Sequence, residues 1–273
     1  MNPLCIYHGN CADGFASAWV VRKAMEGNAD FHAGVYQTPP PEVAGRDVWL
    51  VDFSYKRPVL LEMARSANSI HIIDHHKTAA EDLHDLPGNV FATFDMEHSG
   101  AMLTWLHFFP KEEPPALLRY IEDRDLWRFK LDGTRAIQAN VFSYPYDFDV
   151  WDGLMVVPPE RLIAEGEAIE RKHFKDINEL IGVVTRFMVI GGHRVPVANL
   201  PYTLVSDAAH MLAKGEKFAG CYWDTPKGRV FGLRSTDEGL DVSDIAKQYG
   251  GGGHRNAAGF TVGFDVARQL ESQ

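Results

Sequence analysis

The chain has 273 residues, enough for two domains of ordinary size, and 45% of them are hydrophobic, which excludes a disordered protein. A formal net charge of −10 argues against binding to long nucleic acids, because such proteins neutralise many phosphates with basic side chains. Three cysteines are too few for a disulfide framework, and we find no secretory signal and no apolar run long enough to span a bilayer. We therefore expect a cytoplasmic protein that does not bind membranes.

The first half of the chain alternates short apolar runs with helical patterns. Strands are predicted at 4–8, 48–53, 69–74 and 89–95, and helices at 14–27, near 57–67, at 99–109 and at 114–127. Because these strands are continuously apolar, they are typical of a parallel sheet whose two faces are both covered by helices. The sequence therefore predicts an α/β first domain over residues 1–157.

A long helical pattern at 158–182 is predicted to link this domain to a smaller one over residues 183–273. The second domain is also predicted to be α/β, with strands near 186–199 and 217–235 and helices near 203–214 and 243–249. This second domain is nearly neutral, with 10 Lys and Arg against 9 Asp and Glu. Residues 1–182 therefore contain 17 of the 27 basic residues and 28 of the 37 acidic ones. Carboxylates gathered around a metal ion would explain this excess, although a solvated acidic surface is the commoner cause.

Polar residues capable of binding a metal follow three of the predicted strands. His8 ends the first strand, Asp52 lies at the end of the second, and Asp74, His75 and His76 end the third. Adjacent histidines usually face solvent, but ligands of parallel sheets bind at the carboxyl ends of the strands, where these residues should meet. Mixed histidine and aspartate ligands suit a divalent ion such as Mn²⁺.

These residues resemble the motifs of the DHH phosphoesterases, and the resemblance extends over most of the chain. The motifs are "HGNCADGFASA" (8–18), "VDFS" (51–54), "IDHHKTA" (73–79), "IEDRDLW" (121–127) and "YGGGGHRNAAGF" (249–260). Their order and spacing imply a parallel-sheet DHH domain with flanking helices, followed by a smaller α/β domain that binds substrate.

The resemblance implies a role for each matching residue. The metal ligands would be His8, Asp13, Asp52, His75 and one of the pair Asp123 and Asp125. Asp52 would bridge two metal ions, and Asp74 would hold His75 in its coordinating tautomer. His76 would face the phosphate, as a stabiliser of the transition state or a proton donor to the leaving oxygen. Since Asp123 and Asp125 point in different directions on a helix, only one should reach the metal.

Cys11 is the main departure from the family pattern, which usually has Asp-x-Asp where this chain has Cys11-Ala12-Asp13. A cysteine thiolate could still bind the metal, which would shift the preference from Mn²⁺ toward Zn²⁺ or Fe²⁺. Alternatively, one of the two metal positions is weak or empty, or the protein has lost its activity and only binds. A small buried residue at a turn is an equally good explanation of Cys11.

The glycine-rich segment of the second domain is interpreted as a phosphate-binding loop. Its backbone N–H groups could approach an oxyanion at Gly251, Gly252 and Gly253, with His254 and Arg255 as partners. Arg234 is predicted as a second phosphate contact. Four glycines alone would more often indicate a flexible loop.

Seven aromatic residues lie between 127 and 151. They could stack on bases, but we expect them to pack an irregular segment against the first domain.

The function predicted from these features is metal-dependent hydrolysis of short oligonucleotides to mononucleotides, with one or two divalent ions and the second domain closing over the first. One alternative is hydrolysis of another small phosphate, such as a cyclic dinucleotide, a phosphoadenosine phosphate or pyrophosphate. The other is a non-catalytic nucleotide-binding protein. A homodimer is compatible with each of these functions.

Overall fold

The computed structural model describes residues 1–271, and it divides into two compact units, Met1–Glu170 and a second that begins at Arg171. Both units are α/β, which confirms the predicted fold class. None of the helices in residues 1–271 is long and apolar enough to cross a membrane.

The first unit is a parallel sheet with its connecting helices. Its elements are β1 (Leu4–His8), α1 (Ala12–Ala24), β2 (Asp30–Gly34), β3 (Asp47–Val51), α2 (Arg57–Ser66), β4 (Ser69–Asp74), α3 (Lys77–Asp82), β5 (Val90–Phe94), α4 (Gly100–Phe108), α5 (Ala116–Asp125), α6 (Thr134–Val141), α7 (Phe148–Leu154) and the start of α8 (Pro159–Val184). The strand order is β2-β1-β3-β4-β5, and every pairing is parallel. All five strands therefore end at the same edge.

Both faces of this sheet are buried, which explains the continuous apolar runs in its central strands. Leu50 and Ile72 face a core that includes Leu60 and Met63 of α2. The next residues in the same strands, Val51 and Ile73, face the opposite side, with Ala18 and Val21 of α1 and Leu103 of α4. Side chains that alternate along a strand thus enter two different cores.

Two features of the first unit differ from the sequence prediction. The strand β2 was not predicted, because "DFHAG" has no apolar run and lies half-exposed at the edge of the sheet. The segment predicted as irregular, residues 140–154, contains the end of α6 and the whole of α7. Trp151 is fully buried and Phe148 stacks on Phe15, as expected of packing residues. The other aromatic side chains include three that are exposed, Phe142, Tyr144 and Tyr146.

The second unit is a mixed sheet covered by helices. Its elements are the end of α8, β6 (Thr185–Ile190), β7 (His193–Asn199), a short 3₁₀ helix (Tyr202–Leu204), α9 (Val205–Leu212), β8 (Ala219–Thr225), β9 (Gly228–Arg234), α10 (Val242–Lys247), β10 (Gly252–His254), β11 (Ala257–Val262) and α11 (Phe264–Glu271). The order is β10-β11-β9-β8-β7-β6, with one parallel pairing, between β7 and β8. Helices α10 and α11 pack on one face of the sheet, and α8 and α9 pack on the other.

Candidate metal centre

The candidate site lies at the carboxyl edge of the parallel sheet, where three neighbouring strands end in polar residues. His8 ends β1, Asp52 follows β3, and Asp74 ends β4 immediately before His75 and His76. The structure thus brings together the residues that the sequence placed at three separate strand ends, as the rule for parallel sheets predicts.

Asp52 lies between two histidines and presents one carboxylate oxygen to each. Its Oδ1 is 3.1 Å from Nε2 of His75, and its Oδ2 is 3.4 Å from Nδ1 of His8. Burial alone would raise the pKa of Asp52, but the two neighbouring imidazoles outweigh it and hold the pKa far below its usual range. Asp52 also has a left-handed backbone with φ of 53°. Such a conformation in a residue other than glycine is uncommon and is concentrated at functional sites.

Two more carboxylates surround His75. Its Nε2 atom lies 3.9 Å from Oδ2 of Asp13 and 3.5 Å from Oδ2 of Asp125. Burial, together with the negative charge of neighbouring carboxylates, raises the pKa of both Asp13 and Asp125. Three carboxylates around one imidazole nitrogen repel one another, and a bound cation would remove that repulsion.

The donor atoms in this cluster fit a divalent metal ion. Asp13, Asp52 and His75 offer ligand atoms within 4.8 Å of one another, and so do His8, Asp52 and His76. Within residues 1–271, Oδ2 of Asp52 is buried and accepts no hydrogen bond. A buried carboxylate oxygen in that state is costly, and coordination of a cation would satisfy it. The mixture of imidazole and carboxylate ligands suits a borderline-hard ion.

The amino-terminal end of α4 positions Asp13. The backbone N–H groups of Gly100 and Ala101 donate to its carboxylate, at 2.7 and 3.1 Å. A side chain at Gly100 would overlap Asp52, so only glycine lets the helix approach this closely. The sequence predicted this helix but not its contact with Asp13. Ser99, a favourable N-cap residue, and Gly100 were the sequence features that marked the start of the helix.

The structure separates the two aspartates of the fourth motif. Asp125 faces His75, whereas Asp123 accepts hydrogen bonds from the N–H groups of Lys130 and Leu131 and from the hydroxyl of Thr134, at 2.9, 3.1 and 2.6 Å. Asp123 therefore holds the loop that follows α5, while Asp125 belongs to the candidate metal cluster.

The glycine-rich segment of the second unit, which we interpreted as a phosphate-binding loop, forms part of a β-hairpin. Its residues Gly252–His254 form β10, which pairs with β11 in a tight hairpin. A side chain at Gly251 would overlap Gly259, and one at Gly253, where φ is 140°, would overlap Ala257. The close approach of two strands therefore requires glycine at Gly251 and Gly253, whether or not they also bind an anion.

The two arginines predicted to contact phosphate already make hydrogen bonds within the second unit. Arg255 donates to the carbonyl oxygens of Asp237 and Gly239, at 3.2 and 3.0 Å. Arg234 donates to the hydroxyl of Ser206 and to the carbonyl oxygen of Leu233, both at 2.8 Å. Their contribution to phosphate binding stays a prediction.

Several solved structures share the architecture of this chain. The pGpG-specific phosphodiesterase PggH of Vibrio cholerae superposes with a TM-score of 0.53 at 16% identity, covering 100% of this chain and 97% of that one. RecJ of Thermus thermophilus in complex with Mn²⁺ gives a TM-score of 0.51 at 13% identity, covering 99% of this chain and 51% of that one. This chain has the fold of the DHH phosphoesterases.

A sequence relative is also known. An uncharacterized protein of Acanthamoeba polyphaga mimivirus is 32% identical over 287 aligned residues, which cover 93% of this chain and 66% of that protein. The chain with the DHH fold therefore spans about two thirds of that relative's length. No family model matches the chain.

Within the DHH trio, Asp74 holds a different histidine from the one we expected. Its Oδ1 lies 2.7 Å from Nδ1 of His76 and also accepts the backbone N–H groups of His75 and His76, while its Oδ2 accepts a hydrogen bond from Ser54. The expectation that Asp74 orients the ring of His75 is wrong. The chain turns after β4, so the carboxylate folds back over the next two N–H groups, and the ring of His75 points to Asp52 instead.

Two residues beside the DHH centre stand out, and sequence reasoning missed one of them. Cys11 is the N-cap residue of α1 and is half-buried. The pKa of its thiol is raised by burial and by the negative charges of Asp52, Asp125 and Asp13. Tyr36, in the loop after β2, has its ring centroid 5.2 Å from that of His8. No local sequence pattern indicated Tyr36, because β2 itself was not predicted.

Proposed function

We propose that the protein is a metal-dependent phosphoesterase that hydrolyses short oligonucleotides to mononucleotides. The observation that carries the proposal is the position of Asp52, which turns one oxygen to His75 and the other to His8, beside the carboxylates of Asp13 and Asp125. Such a carboxylate is suited to bridge two cations, and paired cations are a recurring solution for in-line displacement at phosphorus.

Asp13, Asp52, His75 and Asp125 would hold one ion, and Asp52 with His8 would hold the other. The DHH-fold structure of RecJ with Mn²⁺ supports manganese as the ion. When bound, the metal lowers the pKa of a water molecule and neutralises the charge that develops on the phosphate.

The role that we assign to His76 follows from its contact with Asp74. Asp74 accepts the Nδ1 proton of His76, and we assign Nε2 of the same ring to contact with the substrate. In the protonated ring, Nε2–H can donate to a phosphate oxygen or pass its proton to the leaving oxygen. Ser54 and two backbone N–H groups hold the Asp74 carboxylate, so the ring is fixed before the substrate arrives.

Two observations support a short substrate. PggH, by its name a phosphodiesterase for the dinucleotide pGpG, matches this chain over nearly its whole length, whereas RecJ is about twice as long. The excess of acidic over basic residues in the first part of the chain would repel a long strand. The hairpin that contains Gly251 and His254 would bind the terminal phosphate of the oligonucleotide.

We also propose a cytoplasmic location, because free thiols such as those of Cys5 and Cys221 persist in a reducing compartment. A homodimer stays a prediction.

The test is hydrolysis by purified, metal-free protein with Mn²⁺ added back. The substrates are a 5′-phosphorylated dinucleotide, a five-mer, a 24-mer, a cyclic dinucleotide, phosphoadenosine phosphate and pyrophosphate. We expect mononucleotide release from the dinucleotide and five-mer, little from the 24-mer, and none after chelation.

The variant His75→Ala, with its fold checked by circular dichroism, is the control for a contaminating nuclease. Exclusive turnover of pyrophosphate or of the cyclic dinucleotide would move the protein to another small phosphate substrate. The absence of turnover with Mn²⁺, Zn²⁺ and Fe²⁺ would leave a protein that only binds nucleotides.

A further inference from the structure

We infer that the ring of Tyr36 is the stacking platform for the base of the nucleotide whose phosphate occupies the metal centre. The inference rests on the proposed function and deepens it, because it names the part of the substrate that this side of the centre recognises. The protein should then prefer nucleotides to phosphoesters that have no base.

The parallel pairing of β1 with β2 delivers Tyr36 to the centre. His8, the last residue of β1, is in register with Gly34, the last residue of β2. Beyond the two strands, the N–H of Gly9 donates to the carbonyl oxygen of Gly34 at 2.8 Å, so the chains stay together as they leave the sheet. Tyr36 follows Gly34 by two positions and therefore lies at the same edge of the sheet as the candidate metal ligands.

A strained turn then holds Tyr36 in place. The N–H of Thr38 donates to the carbonyl oxygen of Val35 at 3.2 Å, and the hydroxyl of Thr38 donates to the same oxygen at 2.6 Å. Tyr36 and Gln37 are therefore the two central residues of the turn. Gln37 has a φ of 66°, which glycine or asparagine normally supplies at this position. Strain of this kind in other residues is concentrated at functional sites.

The ring of Tyr36 packs against two imidazoles of the centre. Its centroid lies 5.2 Å from that of His8 and 6.1 Å from that of His76, with the rings edge to face in both pairs. The fully buried ring of Phe53 supports it, with a centroid separation of 4.8 Å. A Cβ at Gly34 would overlap Phe53, so the glycine leaves room for this support. The position of the Tyr36 ring is thus set by the centre itself.

Much of the Tyr36 ring nevertheless faces solvent, since the residue is 44% exposed. Single exposed aromatic rings are common on protein surfaces, but this one contacts the histidine that we assign to the phosphate. In a nucleotide only the sugar separates the phosphate from the base, so a phosphate at His76 brings a base within reach of Tyr36. Stacking on an aromatic ring accepts every base, because each base has a π face, and this tolerance suits the degradation of oligonucleotides of any sequence.

Equilibrium binding to the Mn²⁺-loaded protein tests the inference without turnover. The two probes are adenosine monophosphate and ribose 5-phosphate, which share the sugar and the phosphate and differ by the base. In calorimetric titrations, we expect the natural protein to bind adenosine monophosphate at least about tenfold more tightly than ribose 5-phosphate. The variant Tyr36→Leu should bind the two probes equally, and Tyr36→Trp should keep the preference.

The matched control is Phe91→Leu. Phe91 is an aromatic residue of the same unit and is 54% exposed, but it lies near the amino end of β5, at the opposite edge of the sheet. This variant should keep the preference for adenosine monophosphate. Melting curves show whether each variant is folded, and Tyr36→Met replaces Tyr36→Leu if the leucine variant is not.

Steady-state kinetics give the second readout, with a 5′-phosphorylated dinucleotide and its abasic analogue as substrates. Tyr36→Leu should raise KM for the dinucleotide by at least about tenfold, with little change in kcat and little change for the abasic analogue. An equal loss of kcat on both substrates would mean that Tyr36 only supports the two histidines, and it would overturn the inference.

The binding titrations can also contradict the inference. It is wrong if the Mn²⁺-loaded natural protein does not bind adenosine monophosphate, or if Tyr36→Leu keeps the natural preference. A preference for the base that depends on Tyr36, in a protein that hydrolyses no oligonucleotide, would refute the proposed function and leave this inference standing. Hydrolysis of oligonucleotides with an unchanged preference in Tyr36→Leu would do the reverse.

Discussion

The Nε2 atom of His75 lies 3.1 Å from Oδ1 of Asp52, although 23 positions separate the two residues in the sequence. The pairing of neighbouring parallel strands causes this proximity, because Val51 of β3 is in register with Ile73 of β4. The residues that follow are therefore delivered to the same edge of the sheet. One imidazole thereby gathers three carboxylates, from Asp13, Asp52 and Asp125.

We predict that Asp125→Asn abolishes activity, whereas Asp123→Asn mainly lowers stability. Loss of a metal ligand should reduce kcat more than about 100-fold, since even outer-shell partners contribute 10–100-fold. Asp123 instead accepts three hydrogen bonds in the loop after α5, so its replacement should lower the free energy of unfolding by about 1–3 kcal/mol. Initial rates and urea denaturation of both variants measure the two effects. The assignment is wrong if Asp123→Asn is the inactive variant and Asp125→Asn the active one.

We predict that Gly100→Ala weakens metal binding and stability together. The new Cβ would overlap Asp52 at the point where α4 approaches the centre, and overpacking of this kind lowers stability by about 1–3 kcal/mol. The matched control is Gly88→Ala, because a Cβ at Gly88 has no neighbour within 4 Å among the described residues and should change stability by about 0.5 kcal/mol or less. Calorimetric titration with Mn²⁺ and thermal melting measure both proteins. Equal behaviour of the two variants would show that α4 tolerates a side chain beside Asp52.

We predict that Asp74→Asn lowers kcat by about 10–100-fold and changes KM little. The amide keeps the shape of the carboxylate, but it presents N–H groups as well as an oxygen to Nδ1 of His76 and so no longer selects one tautomer of the ring. Ser54→Ala removes one donor to Asp74 and should give a smaller loss in kcat. Steady-state kinetics at several pH values distinguish the variants. An unchanged kcat in Asp74→Asn would remove His76 from the proposed mechanism.

We predict that acid destabilises the protein partly through His71. Its ring is stacked between Trp49 and Phe91, with centroids at 4.3 and 5.0 Å; burial, followed by the nearby His107, lowers its pKa. Because the unfolded pKa is about 6.5 and the folded pKa lies below it, the unfolded chain binds the proton more readily. The contribution of His71 to stability is therefore complete above about pH 6.5 and is lost as the pH falls through the folded pKa.

Urea denaturation at pH 8 and pH 5.5 measures this effect. The variant His71→Phe retains the stack and should lose less stability on acidification than the natural protein does. The control is His84→Phe, at an exposed position, which should retain the natural dependence. An identical pH dependence in His71→Phe and the natural protein would contradict the prediction.

The residue pattern alone indicated the architecture of the first unit and the neighbourhood of the centre. Continuous apolar runs such as "VWLV" and "IHII" predict parallel strands with two buried faces, and polar residues directly after such strands must meet at one edge. His8, Asp52, His75 and His76 could therefore be placed together before any coordinates were known.

The tertiary structure decided the contacts that depend on the direction of a side chain. Asp123 and Asp125 lie two positions apart on one helix, and only the packing of α5 determines which carboxylate faces His75. The carboxylate of Asp74 lies beside both histidines in sequence, and only the turn after β4 determines that it binds the ring of His76. The approach of Gly100 to Asp52 joins segments 48 residues apart. A sequence motif specifies which groups are available within a few residues, whereas the contacts between distant segments are specified by the packing of the whole unit.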